Sequence, residues 1–446
     1  MNGLLQSDTL PRIMSMKKRR KLPPSQYLIL GFLIIISFGS LFLSLPFTHR
    51  SGIHISYIDA LFTSISAVCV TGLVTVDVAA TFNFLGRTII AILILLGGMG
   101  FAAVIMNIVL ILGWDVGISQ RNMLSEAYNL GTLRGTLVVV KTVVLASVSF
   151  QIIGTIVGYL VFRHDYAPLE AWGHSLFHAI SAFNNAGFDL MGDFKSIMDY
   201  NRNITLNVLT MILIISGGLG FFVLSDVYRK RWHFKKFTMH TKIVLLMTAI
   251  LILLGTVAIL FIERVDVLSA LFLSVTSRTA GFNTIDTGAL TSSSLFFVML
   301  LMFVGASPGS TGGGIKTTTA FAMWLSLLSL AFGKQPAAFR RRVPNDSILK
   351  AFQVLMLSLL TVVTGTLVLS YLEHDSFDFI QVAFEAVSAY ATVGLSTGIT
   401  TRIGSLSKIV LMALMFIGRL GPITIATCIR PKVSRVRYVE EQIFIG

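Results

Sequence analysis

Polar and apolar residues along this chain fall into long blocks. Apolar runs of about 20 residues lie near 27–46, 88–112, 138–162, 204–227, 243–262, 348–372 and 409–428, each long enough to cross a bilayer core of ~30 Å as helix. An eighth run, 294–330, is interrupted by a glycine-rich insert. A shorter pattern recurs between these runs. Ala60–Leu73 reads ALFTSISAVCVTGL, and its relatives are SLFHAISAFNNAGF (Ser175–Phe188), ALFLSVTSRTAGF (Ala270–Phe282) and AFEAVSAYATVGL (Ala383–Leu395). In each, a Phe begins an apolar helical turn, a Ser or Thr follows four residues later, and the segment closes on Gly and a large apolar residue. The Phe-to-Gly spacing is 10, 10, 9 and 10, so the third copy is one residue short. Four near-equal copies predict four walls around one axis.

The pattern predicts an all-α polytopic membrane protein of four tandem units, each an outer helix, a short re-entrant helix, a glycine loop and an inner helix. The outer helices are 27–46, 138–162, 243–262 and 348–372; the inner ones are 86–112, 204–228, 294–330 and 405–428. Two spans per unit give every copy the same orientation, as an axis along the membrane normal requires, whereas inverted repeats need an odd number. The predicted division is a basic arm at 1–26, repeats at 27–112, 136–228, 241–332 and 347–428, and a tail at 429–446.

Composition excludes a soluble domain: 54% of residues are hydrophobic, 13% are charged, and mean hydropathy is +0.81. The first run follows Lys17–Lys21 and resembles a signal anchor, but it is too long for a signal-peptide core and lacks a small-residue cleavage site, so it reads as a span. Of the 35 Lys and Arg residues, 24 fall in the N-terminal arm, in 113–141, 229–242 and 334–350, and after Ile429. These segments, and with them both termini, are predicted to be cytoplasmic. The alternate loops hold most of the acids, which favours cations there. A pI of 9.9 is accounted for by this topology rather than by nucleic acid, with anionic lipid and an acidic or docking partner as the expected neighbours. Cys69 and Cys428 fall on opposite sides, which excludes a disulfide and a cysteine metal site. Asn203-Ile-Thr205 is a formal glycosylation sequon.

Asp59, Glu170, Asp266 and Asp378 stand near the outer starts of the re-entrant helices. Carboxylates there complement the helix dipole and leave the partly negative ends aimed at the membrane centre, where they would stabilise a desolvated cation. Gly72, Gly187, Gly281 and Gly394 close the loops. A backbone alternating between ordinary and left-handed conformations points successive carbonyls at one axis, and glycine adopts the second without penalty. The residues before each glycine extend the predicted carbonyl ladder: Val70 and Thr71, Asn185 and Ala186, Thr279 and Ala280, Thr392 and Val393.

Glycine motifs recur on the inner helices as Gly97-Gly98-Met99-Gly100, Gly217-Gly218-Leu219-Gly220 and Gly418-Arg419-Leu420-Gly421. For the first two, close helix packing is a sufficient explanation. The third inner helix instead carries Gly305, Ala306, Ser307, Pro308, Gly309, Ser310, Thr311, Gly312, Gly313 and Gly314, then Ile315 and Lys316. That segment cannot be ordinary helix. It is no phosphate loop, because an extra Ile precedes Lys316 and no strand leads into it. Its position predicts an obstruction below the filter that can move. Charges at membrane depth require partners or water. Arg419 is expected either to face the cavity below the filter or to bond carbonyls freed by the broken helix. Arg278 and Glu385 are expected to pair behind the filter. Lys316 either belongs to the gate or reaches the inner surface.

FHAISAFNNAGF (177–188), TSRTAGFNTID (276–286), GASPGSTGGGIK (305–316) and FIGRLGP (416–422) resemble the Trk/Ktr/HKT superfamily of potassium transporters, and specifically the membrane subunit of bacterial Ktr systems, over about Pro24 to Gly446. The resemblance implies four M1-P-M2 units, filter glycines at Gly72, Gly187, Gly281 and Gly394, an intramembrane gating loop at 305–314, and Arg419 as the basic residue below the filter. Glycine in the first repeat, where some relatives carry serine and pass sodium, implies K+ as the transported ion. The family's Trk branch carries two further N-terminal spans; their absence here points to Ktr. Pro often replaces Ser277 in related sequences, a change at the helix end rather than in the filter. The resemblance further implies a homodimer on a cytoplasmic ring of RCK subunits that bind ATP, ADP or a dinucleotide, with Na+ stimulation in several systems. This chain has no Rossmann fingerprint and is expected to bind no nucleotide itself; segments 229–242, 334–350 and 430–446 are the candidate docking surfaces. An alternating-access secondary cation transporter is the competing reading. A membrane enzyme would need convergent His, Asp or Glu at depth, and His174 and His178 stand alone.

Overall fold

The computed structural model describes residues 24–100, 104, 136–231, 233–428 and 441. The predicted arm before residue 24, the end of the first inner run and the tail apart from Glu441 lie outside the described residues. The fold is mostly helical. Four long helices, Pro24–Leu43, Thr136–Phe162, Met239–Glu263 and Asn345–Leu372, are each followed by a short one: Tyr57–Val68, Pro168–Phe183, Val267–Thr276 and Phe379–Ala391. A third set, Phe84–Gly98, Ile204–Leu219, Ser292–Phe303 and Ser405–Leu420, completes four consecutive quarters. Among the described residues, the four long helices are long and apolar enough to cross a membrane, and a fifth span results if Ile204–Leu219 and Phe221–Arg229, bent by 96°, count as one.

The short helices start where the sequence supplies caps. The Ser56 side chain accepts the Asp59 N–H, Asp266 accepts that of Ser269, Asp378 forms a capping box with Gln381, and Pro168 opens the second helix. Asp59 and Glu170 occupy first turns, so the predicted acids do stand at these starts. Hydrogen bonds from the Ser269 hydroxyl and N–H hold the Asp266 carboxyl below its usual 3.8. Phe62, Phe177, Phe272 and Phe384 are buried and anchor the short helices in the core. Two residues after the first and third of these, Ser64 and Ser274 donate to the Ile36 and Ile252 carbonyls of their own outer helices at 2.9 Å. Asn203 caps the second inner helix through the Leu206 N–H, a structural use of the sequon residue.

The inner helices depart from expectation. Only 294–330 was expected to break, yet the other three also end early, at Gly98, Leu219 and Leu420. The last glycine of each motif explains this. Gly100, Gly220 and Gly421 have φ of +76°, +90° and +85°, which a right-handed helix cannot contain and other residues avoid. Pro308 stands at the matching place in the third quarter. The first glycine of each motif also packs closely. A Cβ on Gly97, Gly217 or Gly418 would strike the carbonyl of Val68, Phe183 or Tyr390 at the end of the preceding short helix. One motif therefore brings the inner helix against the short helix and then stops it.

Candidate functional site

Each short helix ends in a loop with one repeated geometry. Val70, Asn185, Thr279 and Thr392 have φ of +52°, +57°, +70° and +52°; two residues on, Gly72, Gly187, Gly281 and Gly394 have +91°, +68°, +81° and +91°. This is the predicted alternation, with a non-glycine residue in left-handed backbone in every copy. The main-chain carbonyl of the repeated Ser or Thr holds the loop. Thr71, Ala186 and Val393 donate their N–H to the carbonyls of Ser66, Ser181 and Ser388 at 2.8, 2.8 and 2.9 Å, five residues back. In the third copy Ala280 donates to Thr276 at 2.9 Å, four residues back. The missing residue therefore tightens the helix end by one and leaves Gly281 in register. Gly72 and Gly394 also donate to the Ser66 and Ser388 hydroxyls at 3.1 Å. The sequence displayed this Ser/Thr without revealing its purpose.

The four loops form a closed ring. A Cβ on Gly72 would lie 2.5 Å from the Ala186 oxygen, one on Gly187 2.7 Å from the Ala280 oxygen, one on Gly281 2.5 Å from the Val393 oxygen, and one on Gly394 would strike the Thr71 oxygen. Each quarter thus touches the next, and the fourth returns to the first, with a main-chain oxygen at every junction. Across that last seam Lys408 of the fourth inner helix also pairs with Asp59 at 2.7 Å. All four glycines line one cavity of about 220 Å³ whose wall includes Asp77, Asp189, Asp286 and Ser396. Backbone oxygens beneath an acidic mouth suit a partly dehydrated cation.

Below the ring lies the 305–314 segment, bonded to what surrounds it. Ser307 and Thr311 donate their N–H to the Gly218 and Gly217 carbonyls at 3.0 and 3.3 Å, groups that the broken second inner helix leaves free. The Thr311 hydroxyl donates to Asn185 Oδ1 at 3.0 Å, and the Gly313 N–H donates to Thr392 Oγ1 at 3.0 Å. A Cβ on Gly312 would meet Thr279 Oγ1. The segment therefore abuts three of the four left-handed positions, in each case through the side chain. The fourth is Val70, which has no polar group to offer. Arg419 bridges that side, donating to the carbonyls of Thr311, Gly97 and Gly98. Arg419 thus bonds one carbonyl of the broken third inner helix, as one of its two expected roles requires, and its side chain is half-buried rather than enclosed. Lys316 turns back to donate to the Gly312 and Gly313 carbonyls at 2.6 and 3.3 Å rather than reaching the inner surface.

The expected Arg278–Glu385 pair is not formed. Glu385 accepts from Ser396, Thr397 and Thr400 of the chain beyond Gly394, with the Ser396 hydroxyl at 2.6 Å, the Thr397 N–H at 2.9 Å and the Thr400 hydroxyl at 2.7 Å. Arg278 lies at the other end of its helix, where Nη1 reaches the Thr248 carbonyl at 3.5 Å beside Gly218 and Ala306. The two charges sit at different depths, and the hydroxyls of its own quarter satisfy the carboxylate. His178 bonds Thr210 at 2.8 Å and meets the Phe282 ring edge-on, while His174 stacks on Tyr166.

Three comparisons bear on this architecture. The pattern of the TrkH family, a cation transport protein, matches residues 23–436. Ktr system potassium uptake protein B of Bacillus subtilis is 38% identical over 437 residues, covering 95% of this chain and 97% of that protein. Potassium/sodium uptake protein NtpJ of Enterococcus hirae is 36% identical over 452 residues, covering 97% and 100%. In fold, the chain is similar to the potassium transporter TrkH from Vibrio parahaemolyticus, with a TM-score of 0.72 at 19% identity over 93% of this chain and 86% of that one. The resemblance read from the four motifs therefore holds, and the chain belongs to the TrkH family of cation transport proteins.

Proposed function

We propose that this protein takes up K+ across the cytoplasmic membrane through a filter of main-chain carbonyls at Val70–Gly72, Asn185–Gly187, Thr279–Gly281 and Thr392–Gly394, closed from below by residues 305–314. The observation that carries this reading is the ring in which each glycine abuts a carbonyl of the next quarter. A ring of main-chain carbonyl oxygens can replace the hydration water of an ion that holds its water loosely. The four quarters act as M1-P-M2 repeats with the boundaries given above and eight spans, the second, third and fourth inner ones continued beyond their breaks by Phe221–Arg229, Thr317–Ala331 and Pro422–Cys428. Both termini and the basic segments face the cytoplasm.

The gate consists of the 305–314 segment with Lys316 and Arg419, and it opens when a cytoplasmic RCK subunit binding ATP, ADP or a dinucleotide pulls on the inner helices of a homodimer. The name of the Bacillus subtilis relative supports a Ktr-type system, and that of the Enterococcus hirae relative, a potassium/sodium uptake protein, supports a part for Na+. An alternating-access transporter is the competing mechanism, and flux faster than a conformational cycle would exclude it.

Gly394→Ser tests the filter. Its side chain would press on the Thr71 carbonyl at a positive φ, so in cells lacking other K+ uptake the variant is expected to lose preference for K+ over competing Na+. An unchanged preference in a variant expressed at wild-type level would remove the assignment.

A further inference from the structure

Two basic segments far apart in sequence meet at the start of the third outer helix. Lys242, in the first turn of Met239–Glu263, places its ammonium 5.6 Å from the Phe234 ring and 5.7 Å from the Phe339 ring. The same Nζ donates to the Lys235 carbonyl at 3.1 Å. One cation thus joins the Phe234–Lys236 turn to the hairpin of Ala337–Ala338 and Arg341–Arg342. The hairpin turns on Phe339 and Arg340 at φ of +51° and +62°, a conformation that two-residue turns normally give to Asn and Gly. Phe234 and Phe339 are 51% and 39% exposed.

Charge here is one-sided. Residues 226–242 hold six Lys or Arg and residues 331–350 hold five, against Asp226 and Asp346. Asp226 is already engaged by Lys230 at 2.6 Å and by Thr238 and Thr241. Among the described residues, Lys235, Lys236, Lys242, Arg340, Arg341 and Arg342 make no ion pair with an acid. The 25-residue helix rises about 37 Å, more than the ~30 Å hydrocarbon core, so its first turn stands at headgroup level. On the face of Lys242, at helical spacing, Leu246, Ile250 and Leu253 continue as an exposed apolar stripe.

We infer that this cluster binds the headgroup of an anionic phospholipid of the inner leaflet. Lys235, Lys236, Arg341 and Arg342 provide its charge, Lys242 and the two phenyl rings hold the segments together, and the acyl chains lie along Leu246, Ile250 and Leu253. Aromatic rings beside basic residues at the end of a lipid-facing stripe are the elements of an interfacial lipid site. A soluble acidic partner would match the charge but would leave the stripe unused. The inference rests on the topology proposed above, with the basic side cytoplasmic.

The test is mass spectrometry of phosphatidylglycerol retained by the purified full chain after exchange into mixed phosphatidylglycerol and phosphatidylcholine. Arg341→Gln with Arg342→Gln is expected to retain roughly tenfold less phosphatidylglycerol than wild type, with phosphatidylcholine unchanged. Lys235→Gln with Lys236→Gln should repeat the loss, and Lys195→Gln in an outer loop should not. Equal phosphatidylglycerol in wild type and both double variants would overturn the site. So would double variants that keep the lipid and lose capture by a nucleotide-binding ring, since the face would then dock protein. Retention is read without transport, so absent K+ uptake would count against the proposed function and leave the lipid site standing.

Discussion

Thr392→Val tests the gate proposed at residues 305–314. The Thr392 hydroxyl accepts the Gly313 N–H at 3.0 Å, and Thr392 and Gly313 are both buried. Valine matches threonine in shape and lacks the hydroxyl, and with it the acceptor for Gly313. The left-handed backbone at this position (φ +52°) does not bar valine, because Val70 occupies the equivalent place in the first quarter at the same φ. The variant should therefore leave the carbonyl ladder intact while orphaning one buried N–H whenever the 305–314 segment is seated. An unsatisfied buried donor costs about 1–3 kcal/mol. That cost falls on the closed state alone, so the open-to-closed ratio should rise roughly 5- to 150-fold. The assay is 86Rb+ uptake into proteoliposomes without any cytoplasmic partner, with Na+ as competitor. Higher basal uptake at unchanged ion preference is expected. Unchanged uptake in a folded variant, or a loss of preference equal to the gain in flux, would refute the view that this bond holds the gate shut.

Three further outcomes follow from the same geometry. Deleting residues within Gly309–Gly314 should raise flux by removing the obstruction; equal or lower flux in a well-expressed variant would count against the gate. Gly418→Ala places a methyl on the Tyr390 carbonyl and should destabilise by about 1–3 kcal/mol as overpacking does, read as a lowered midpoint of thermal unfolding in detergent. The Asp266 carboxyl is held below its usual value in the folded state, so its contribution is present above about pH 4 and lost as pH falls through the lowered value. The melting-temperature gap between wild type and Asp266→Asn should therefore narrow below pH 4 and stay constant from 5 to 8.

The sequence by itself determined the four quarters, the glycine at the close of each and the unusual third inner helix. These rest on local chemistry: apolar length, helix caps, and a backbone that only certain residues adopt readily. It also displayed the Ser/Thr four residues after each Phe and the one-residue deficit in the third copy, but the use of the hydroxyl emerges only where Gly72 and Gly394 donate to Ser66 and Ser388, and the effect of the deficit only in the shortened Ala280 bond. Tertiary structure decided what depends on partners distant in the chain. Arg278 and Glu385 looked like a pair because they were the strongly charged residues of their segments, but depth within the fold assigns Glu385 to Ser396, Thr397 and Thr400. Arg419 could have faced water or carbonyls, and only the fold brings it to the Gly97 and Gly98 carbonyls, more than 300 residues away in sequence. The breaks at Gly220 and Gly421 were equally hidden. A glycine within an apolar run fits a tightly packed helix as well as a broken one, and only its neighbours decide between them.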